Sequence, residues 1–277
     1  MSTLVNGQEA RHLPVTDRGL QYGDGVFETI ALRRGQPLLW QRHLQRLAEG
    51  CARLGLRQPD EALLRQEVDR IAGNEVRAVA KIILTRGSGG RGYRPDGDAE
   101  ETRIVQRLPW PAYPADAQRG VRVRWCTTRL AQQPRLAGIK HLNRLEQVLA
   151  RAEWQDDYAE GLMRDREGLV IEGTKTNLFV VCTDGTLVTP DLSQSGVAGV
   201  MRAQILDSVA SLDLRCRVQA VDMDLVHAAQ ELFLTNSLIG LWPVTQLEAR
   251  RYVVGQISQK IQAALQTAGC VVEPFPK

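Results

Sequence analysis

The chain has 277 residues, long enough for two domains that each bury a core, and its apolar and charged fractions, 43% and 24%, are those of a soluble globular protein. A formal charge of +3 is too mild to call for a nucleic-acid or membrane partner. Five scattered cysteines without a C-x-x-C pair argue for reduced thiols rather than a disulfide scaffold, and four dispersed histidines give no reason to expect a metal site. Residues 1–9 are polar and lack the apolar core of a signal peptide, and no apolar run approaches the ~20 residues that span a bilayer, so a cytoplasmic protein is expected.

After an opening strand region, Leu44, Leu47, Ala48 and Cys51 recur at helical spacing and predict a helix over 40–54. A second helix is expected over 61–72 and a strand over 77–84. Leu108-Pro109-Trp110-Pro111-Ala112-Tyr113-Pro114 then places three prolines in six positions, each without an N–H, and reads as an extended linker. The expected division is a small α+β domain over 1–108, a linker over 109–116 and a larger domain over 117–277. In that second part, strands are predicted over 121–125, 169–171, 178–182, 187–189, 216–221 and 231–235, and helices over 143–154, 199–212 and 256–268. Asp184-Gly185 marks a hairpin turn. Strands and helices fall in clusters without strict alternation, which is an α+β pattern.

Gly87-Ser88-Gly89-Gly90-Arg91-Gly92 satisfies G-x-G-x-x-G after a good strand. A dinucleotide site also needs a helix to begin inside the motif, and Tyr93-Arg94-Pro95-Asp96-Gly97-Asp98 cannot start one. The segment therefore reads either as a flexible glycine loop or as a mobile loop presenting Arg86, Arg91 and Tyr93 to an anionic substrate, with the second reading favoured.

Only five lysines occur in this arginine-rich chain: Lys81, Lys140, Lys175, Lys260 and Lys277. A lysine amine can form a Schiff base and gives up its proton when desolvated, whereas arginine stays charged. Lys260 and Lys277 read as surface charges, and Lys81, among apolar neighbours, reads as a strand-edge residue or a snorkelling stem. Lys140, inside Gly138-Ile139-Lys140-His141-Leu142-Asn143-Arg144-Leu145-Glu146, is the first candidate for amine chemistry. A phosphate-bearing aldehyde such as pyridoxal phosphate needs an amine, a carboxylate facing its ring nitrogen and an anion cradle. Glu172 could be that carboxylate or an ordinary strand-end acid. Gly196-Val197-Ala198-Gly199-Val200-Met201-Arg202 runs into a helix start that could bind phosphate through its N–H groups. Arg46 could assist or be a solvated helix arginine, and Ser237 could donate or be a turn residue.

These segments, in this order, resemble the fold-type IV pyridoxal-phosphate enzymes, the group of branched-chain and D-amino-acid aminotransferases. The resemblance runs from Tyr22-Gly23-Asp24-Gly25-Val26-Phe27-Glu28-Thr29 through His43-Leu44-Gln45-Arg46 and Lys140 to Glu172–Phe179, Gly199–Arg202 and Asn236-Ser237. Within that group, residues 86–93 and 136–147 look like those of the aminodeoxychorismate lyases. The resemblance implies a two-domain fold with a smaller N-terminal α/β domain and a larger barrel-like C-terminal domain that carries the cofactor lysine. It further implies that Lys140 carries pyridoxal 5'-phosphate, with Glu172 facing its ring nitrogen. Arg46, Asn177, Val200, Met201, Asn236 and Ser237 would bind the cofactor, and Thr29 would assist proton handling. Tyr22, Arg91 and Tyr93 would meet the substrate. Met201 stands where the aminotransferases usually have threonine, and Thr29 where the branched-chain enzymes have glycine. The implied activity is elimination from aminodeoxychorismate to p-aminobenzoate and pyruvate, in a homodimer. The competing readings are an aminotransferase of D- or branched-chain amino acids, and a non-catalytic binder that has kept the pocket.

Overall fold

A computed structural model describes residues 2–95, 99–114, 116–155 and 157–272. Asp96, Gly97, Asp98 and Lys277, named above, lie outside them. The chain forms two compact units, one of Met1–Pro111 with Ile139–Asn143 and one of Ala112–Gly138 with Arg144–Lys277. The change falls inside the proline-rich stretch. Lys140 clusters with the first unit, whereas the sequence reading assigned it to the second domain.

The first unit holds β1 (Thr3–Val5), β2 (Gln8–Glu9), α1 (Arg18–Tyr22), β3 (Gly25–Arg33), β4 (Gln36–Pro37), α2 (Trp40–Leu54), α3 (Glu61–Ala72), β5 (Arg77–Thr85) and β6 (Thr102–Leu108). They make one antiparallel sheet of order β2-β1-β6-β5-β3-β4. Side chains alternate across a strand, so Val26, Ile30 and Leu32 of β3 and Ala78, Ala80, Ile82 and Leu84 of β5 share one face. They pack with Leu44, Leu47 and Cys51 of α2 and Leu64, Val68 and Ile71 of α3. The predicted helices 40–54 and 61–72 appear with those bounds. Asp60 caps α3 by accepting from the Leu63 N–H at 2.9 Å, and Gly55, at φ 64°, closes α2. Lys81 lies on β5 between β3 and β6, so it is not at a sheet edge.

The second unit contains β7 (Val121–Leu130), α4 (Leu145–Arg151), β8 (Glu160–Asp165), β9 (Val170–Gly173), β10 (Asn177–Val181), β11 (Leu187–Pro190), α5 (Val200–Ser208), β12 (Cys216–Gln219), α6 (Met223–Ala228), β13 (Glu231–Asn236), β14 (Gly240–Leu247), β15 (Arg250–Arg251) and α7 (Gln256–Thr267). The mixed sheet runs β12-β11-β10-β13-β14-β7-β8-β9, with β15 on β14. It curls so that β9 returns against β10 and β11, forming a half-barrel around Val123, Leu162, Leu178, Val180, Leu232, Leu234 and Val244. Both faces of β10, β11 and β13 are buried, which is why each carries a continuous apolar stretch, 178–181, 187–188 and 232–234. The α+β class and the barrel-like second domain are as expected. The helix predicted over 143–154 is shorter, Leu145–Arg151, because Trp154 leaves the helix to pack with Cys126 and Met163. Among the described residues no helix is long and apolar enough to cross a membrane.

Gly50 lets α2 approach β3: a Cβ there would stand 2.9 Å from Val26 Cγ1. Gly50→Val is expected to lose about 1–3 kcal/mol by overpacking, read as a lower urea midpoint; an unchanged midpoint would contradict this contact.

Candidate active site

In the first unit, residues 140–142 attach to the start of β3 as a short extra strand. The Phe27 N–H donates to the Lys140 carbonyl at 2.9 Å, the Leu142 N–H donates to the Gly25 carbonyl at 3.0 Å, and Val26 bridges His141 in antiparallel register. Antiparallel pairing at Val26–His141 puts Lys140 directly across from Phe27, with both side chains on the same face. The Lys140 Nζ accordingly sits 4.4 Å from the centre of the Phe27 ring. Thr29, two residues along β3, points to the same side, and its cross-strand partner Lys81 lies with its Nζ 5.4 Å from that ring. The structure thus gathers Lys140 and Thr29 and adds Lys81 and Phe27. No ion pair forms at Lys81 among the described residues.

Glu28 points to the opposite face, where it meets α2. Its carboxylate accepts from Arg46 Nε at 2.8 Å and Nη2 at 2.5 Å, and from His43 Nδ1 at 2.6 Å, with all three residues buried. Burial alone would raise the Glu28 pKa, but the Arg46 charge and the hydrogen bonds from Arg46 and His43 outweigh it and hold the carboxyl at about 2. Burial lowers the His43 pKa more than Glu28 raises it, with the Arg46 and Lys140 charges adding to the fall. Arg46 is therefore a helix arginine turned inward, two of its nitrogens fixed by a carboxylate. Burial pushes the Cys51 and Cys126 thiols up to about 12, so neither competes with Lys140 as a nucleophile.

Among the described residues no helix follows the glycine loop. Arg86 is not presented outward: it forks onto Asp24 at 2.8 and 3.1 Å and donates to the Leu54 and Gly55 carbonyls at 2.7 and 2.9 Å. Arg18 joins the same Asp24 at 3.0 Å and ties the loop down through the Gly92 and Tyr93 carbonyls, both at 2.9 Å. Burial raises the Asp24 pKa less than the two arginines lower it. Tyr22 and Tyr93 meet edge to face at 5.6 Å, while the remainder of Tyr93 and Arg91 stay exposed.

In the second unit, the expected residues form a connected set around residues 196–201. Glu172 is buried and accepts from the Val197 N–H at 2.8 Å. Asn177 clamps the same stretch: its Nδ2 donates to the Val197 carbonyl at 2.8 Å and its Oδ1 accepts from the Gly199 N–H at 3.0 Å. A Cβ at Gly199 would lie 2.0 Å from Asn177 Oδ1, so the close approach requires glycine. Helix α5 starts there with no side-chain cap, leaving the N–H groups of Val200 and Met201 at its positive end. Asn236 Oδ1 accepts from Leu238 and Ile239 at 2.8 and 2.9 Å, turning the chain beside Ser237, and its Nδ2 donates to the Lys175 carbonyl at 3.1 Å. Both asparagine amides thus hold backbone. An uncapped helix start suits a phosphate, and, in the first unit, the Lys140 amine suits an aldehyde, so each kind of group the implied cofactor needs is present.

The stretch from β3 to β14, residues 25–247, matches the family described as amino-transferase class IV. The chain belongs to that family. It is 37% identical over 269 residues to an aminodeoxychorismate lyase of Vibrio harveyi, covering 95% of this chain and 99% of that protein. The structure of a 4-amino-4-deoxychorismate lyase from Pseudomonas aeruginosa superposes with a TM-score of 0.91 at 50% identity, covering 96% and 98% of the two chains. A branched-chain amino acid aminotransferase of Escherichia coli superposes at 0.84 with 25% identity, covering 96% and 93%. These class IV neighbours show the fold-type IV architecture. The sequence reading gave no role to Glu28, His43, Asp24, Arg18 or Phe27. The available signal was a charge on the inward-facing positions of β3, where Glu28 stands between Val26 and Ile30.

A carboxyl held below its unfolded value stabilises the fold above that value and loses the contribution as pH falls toward the folded one. For Glu28 the window runs from about 4.3, the free-side-chain value, down to about 2. Between pH 5 and 2.5 the wild type is expected to lose on the order of 2 kcal/mol more stability than Glu28→Gln. Urea titrations at stepped pH would measure this, and parallel curves would refute it.

Proposed function

We propose that this protein is a pyridoxal-phosphate-dependent lyase that converts 4-amino-4-deoxychorismate to p-aminobenzoate and pyruvate. The observation that carries the reading is the likeness to the Pseudomonas aeruginosa lyase, at 50% identity over 96% of the chain. Lys140 seated across from Phe27 and a buried Glu172 support it chemically.

Lys140 is the residue that would carry the cofactor. Arg46, Ser237 and the N–H groups of Val200 and Met201 would hold its phosphate, and Glu172 would keep its ring nitrogen protonated. When bound, the cofactor supplies an electron sink for the pair released when a C–H bond beside the substrate amine breaks. Lys140, once its amine is released, takes that proton as the general base, a role worth about 10²–10⁴-fold. Thr29, on the same sheet face, would assist in handling the proton. The ether C–O bond at the neighbouring carbon then breaks, and its electron pair leaves on enolpyruvate, which gains a proton to become pyruvate. The ring left behind is aromatic, so the elimination runs downhill. Tyr22, Arg91 and Tyr93, joined by the Arg18-held loop, would meet the substrate.

The five free cysteines support a cytoplasmic setting. A homodimer is supported by α4, where Leu145, Val148 and Leu149, spaced to share one helix face, are 75%, 59% and 61% exposed. Leu149→Glu is expected to halve the mass measured by light scattering; an unchanged mass would remove α4 from the interface.

Given aminodeoxychorismate, the protein should release p-aminobenzoate and pyruvate in equal amounts. Lys140→Ala should lose both turnover and the cofactor's visible absorption band. Rapid exchange between D-alanine and 2-oxoglutarate without elimination would instead establish the aminotransferase reading.

A further inference from the structure

Glu160 is fully buried, yet no cation pairs with it among the described residues. Its carboxylate is surrounded by neutral donors. Oε1 accepts from the Gly161 N–H at 3.0 Å, the Thr174 N–H at 3.1 Å and the Thr174 hydroxyl at 2.5 Å. Oε2 accepts from the Lys175 N–H at 3.2 Å and the Thr176 hydroxyl at 3.0 Å. An anion buried without a counter-ion is tolerated only where its lone pairs are filled in this way. Four of the five donors lie on the turn between β9 and β10.

That turn connects the other residues of the second unit's set. Glu172 ends one side of it and Asn177 begins the other, and together they make three hydrogen bonds to Val197 and Gly199. Its Lys175 carbonyl receives Asn236, whose own turn sets Ser237. A Cβ at Gly173 would meet Thr176 Oγ1 at 2.2 Å and Glu160 at 2.9 Å, so the turn closes tightly on the carboxylate.

We infer that Glu160 is a positioning residue: through the 173–176 turn it fixes Glu172, Asn177 and Asn236, and through them the start of α5 that receives the cofactor phosphate. The inference rests on the cofactor reading above, but its main test needs no cofactor. Two variants probe it. Glu160→Gln keeps the shape but turns an NH2 toward N–H and O–H donors, and the double variant Thr174→Val with Thr176→Val keeps the carboxylate while removing two donors. Val244→Ala, a cavity in the same core away from the turn, serves as a destabilised control.

Amide hydrogen exchange is followed on apoprotein in the peptide covering Val197–Gly199. Exchange is expected to speed about tenfold or more in both turn variants, as befits loss of buried hydrogen bonds, and to follow only global stability in the control. On adding pyridoxal phosphate, both variants should bind at least about tenfold more weakly than wild type, and the pH response of the visible band should shift. Protection of Val197–Gly199 and cofactor affinity equal to wild type in the turn variants would overturn the inference, leaving Glu160 a purely structural acid. Should Glu160→Gln fail to fold, the double valine variant decides alone. Wild-type protein that takes up no pyridoxal phosphate would defeat the functional reading, while the apoprotein exchange would still judge Glu160.

Discussion

The register between residues 140–142 and the first residues of β3 is the constraint on which the placement of the Lys140 amine depends. Two backbone hydrogen bonds and one bridge at Val26–His141 fix it. Because side chains alternate, a slip of one residue would carry the Lys140 amine to the face occupied by α2, among Glu28, His43 and Leu47, and away from Phe27 and Thr29. The neighbours of the segment restrain such a slip. A Cβ at Gly25 would stand 2.4 Å from the Leu84 carbonyl and 2.8 Å from Leu142, so the strands meet too closely for another side chain at that point.

Two buried carboxylates organise the set on either unit by contrasting means. Glu28 is compensated by charge: a guanidinium forks onto it and an imidazole completes it, so removing Arg46 would leave a buried carboxylate without its counter-charge. Among the described residues Glu160 is compensated by dipoles alone, four of its five donors drawn from one tight turn. The first arrangement fixes a single side chain, Arg46. The second orders a stretch of backbone, and with it every residue bonded to that backbone. Oriented backbone amides and hydroxyls cannot rotate away as a long side chain can, which makes the dipole-bound carboxylate the more rigid support.

Much of this was legible in the sequence where local chemistry decides the outcome. Helix α3 announces itself through the Asp60 cap and its apolar spacing, α2 through Leu44, Leu47 and Cys51, and β10 through its unbroken apolar run. Resemblance, rather than spacing, singled out Glu172, Asn177 and Arg46. What stayed hidden depends on partners distant in sequence. Strand β14 was missed because Pro243 reads as a strand breaker, yet it sits just before the β7 pairing begins at Val244, where its missing N–H costs no bond to β7. Arg86 reads as a loop cation free to meet an anion, and only the fold shows Asp24, 62 residues away, claiming it. The domain of Lys140 could not be read from linear order, since a five-residue excursion, Ile139–Asn143, belongs to the unit that precedes it in the chain.

The choice between arginine and lysine follows the same physical division. Arg18, Arg46, Arg86 and Arg103 place planar guanidinium groups against acidic partners, three of them in two-point forks on Glu28, Asp24 and Glu67. Those are holding tasks, for which a permanent charge and fixed geometry are suited. On the face that carries Phe27 and Thr29 the chain uses two of its five lysines. An ammonium can shed its proton and become a nucleophile or base, whereas a guanidinium there would supply charge without reactivity. A chain that otherwise sets arginine against its buried acids places two lysines on this face, and under the proposed function Lys140 is the one whose nitrogen has to react, a task for which a guanidinium could not substitute.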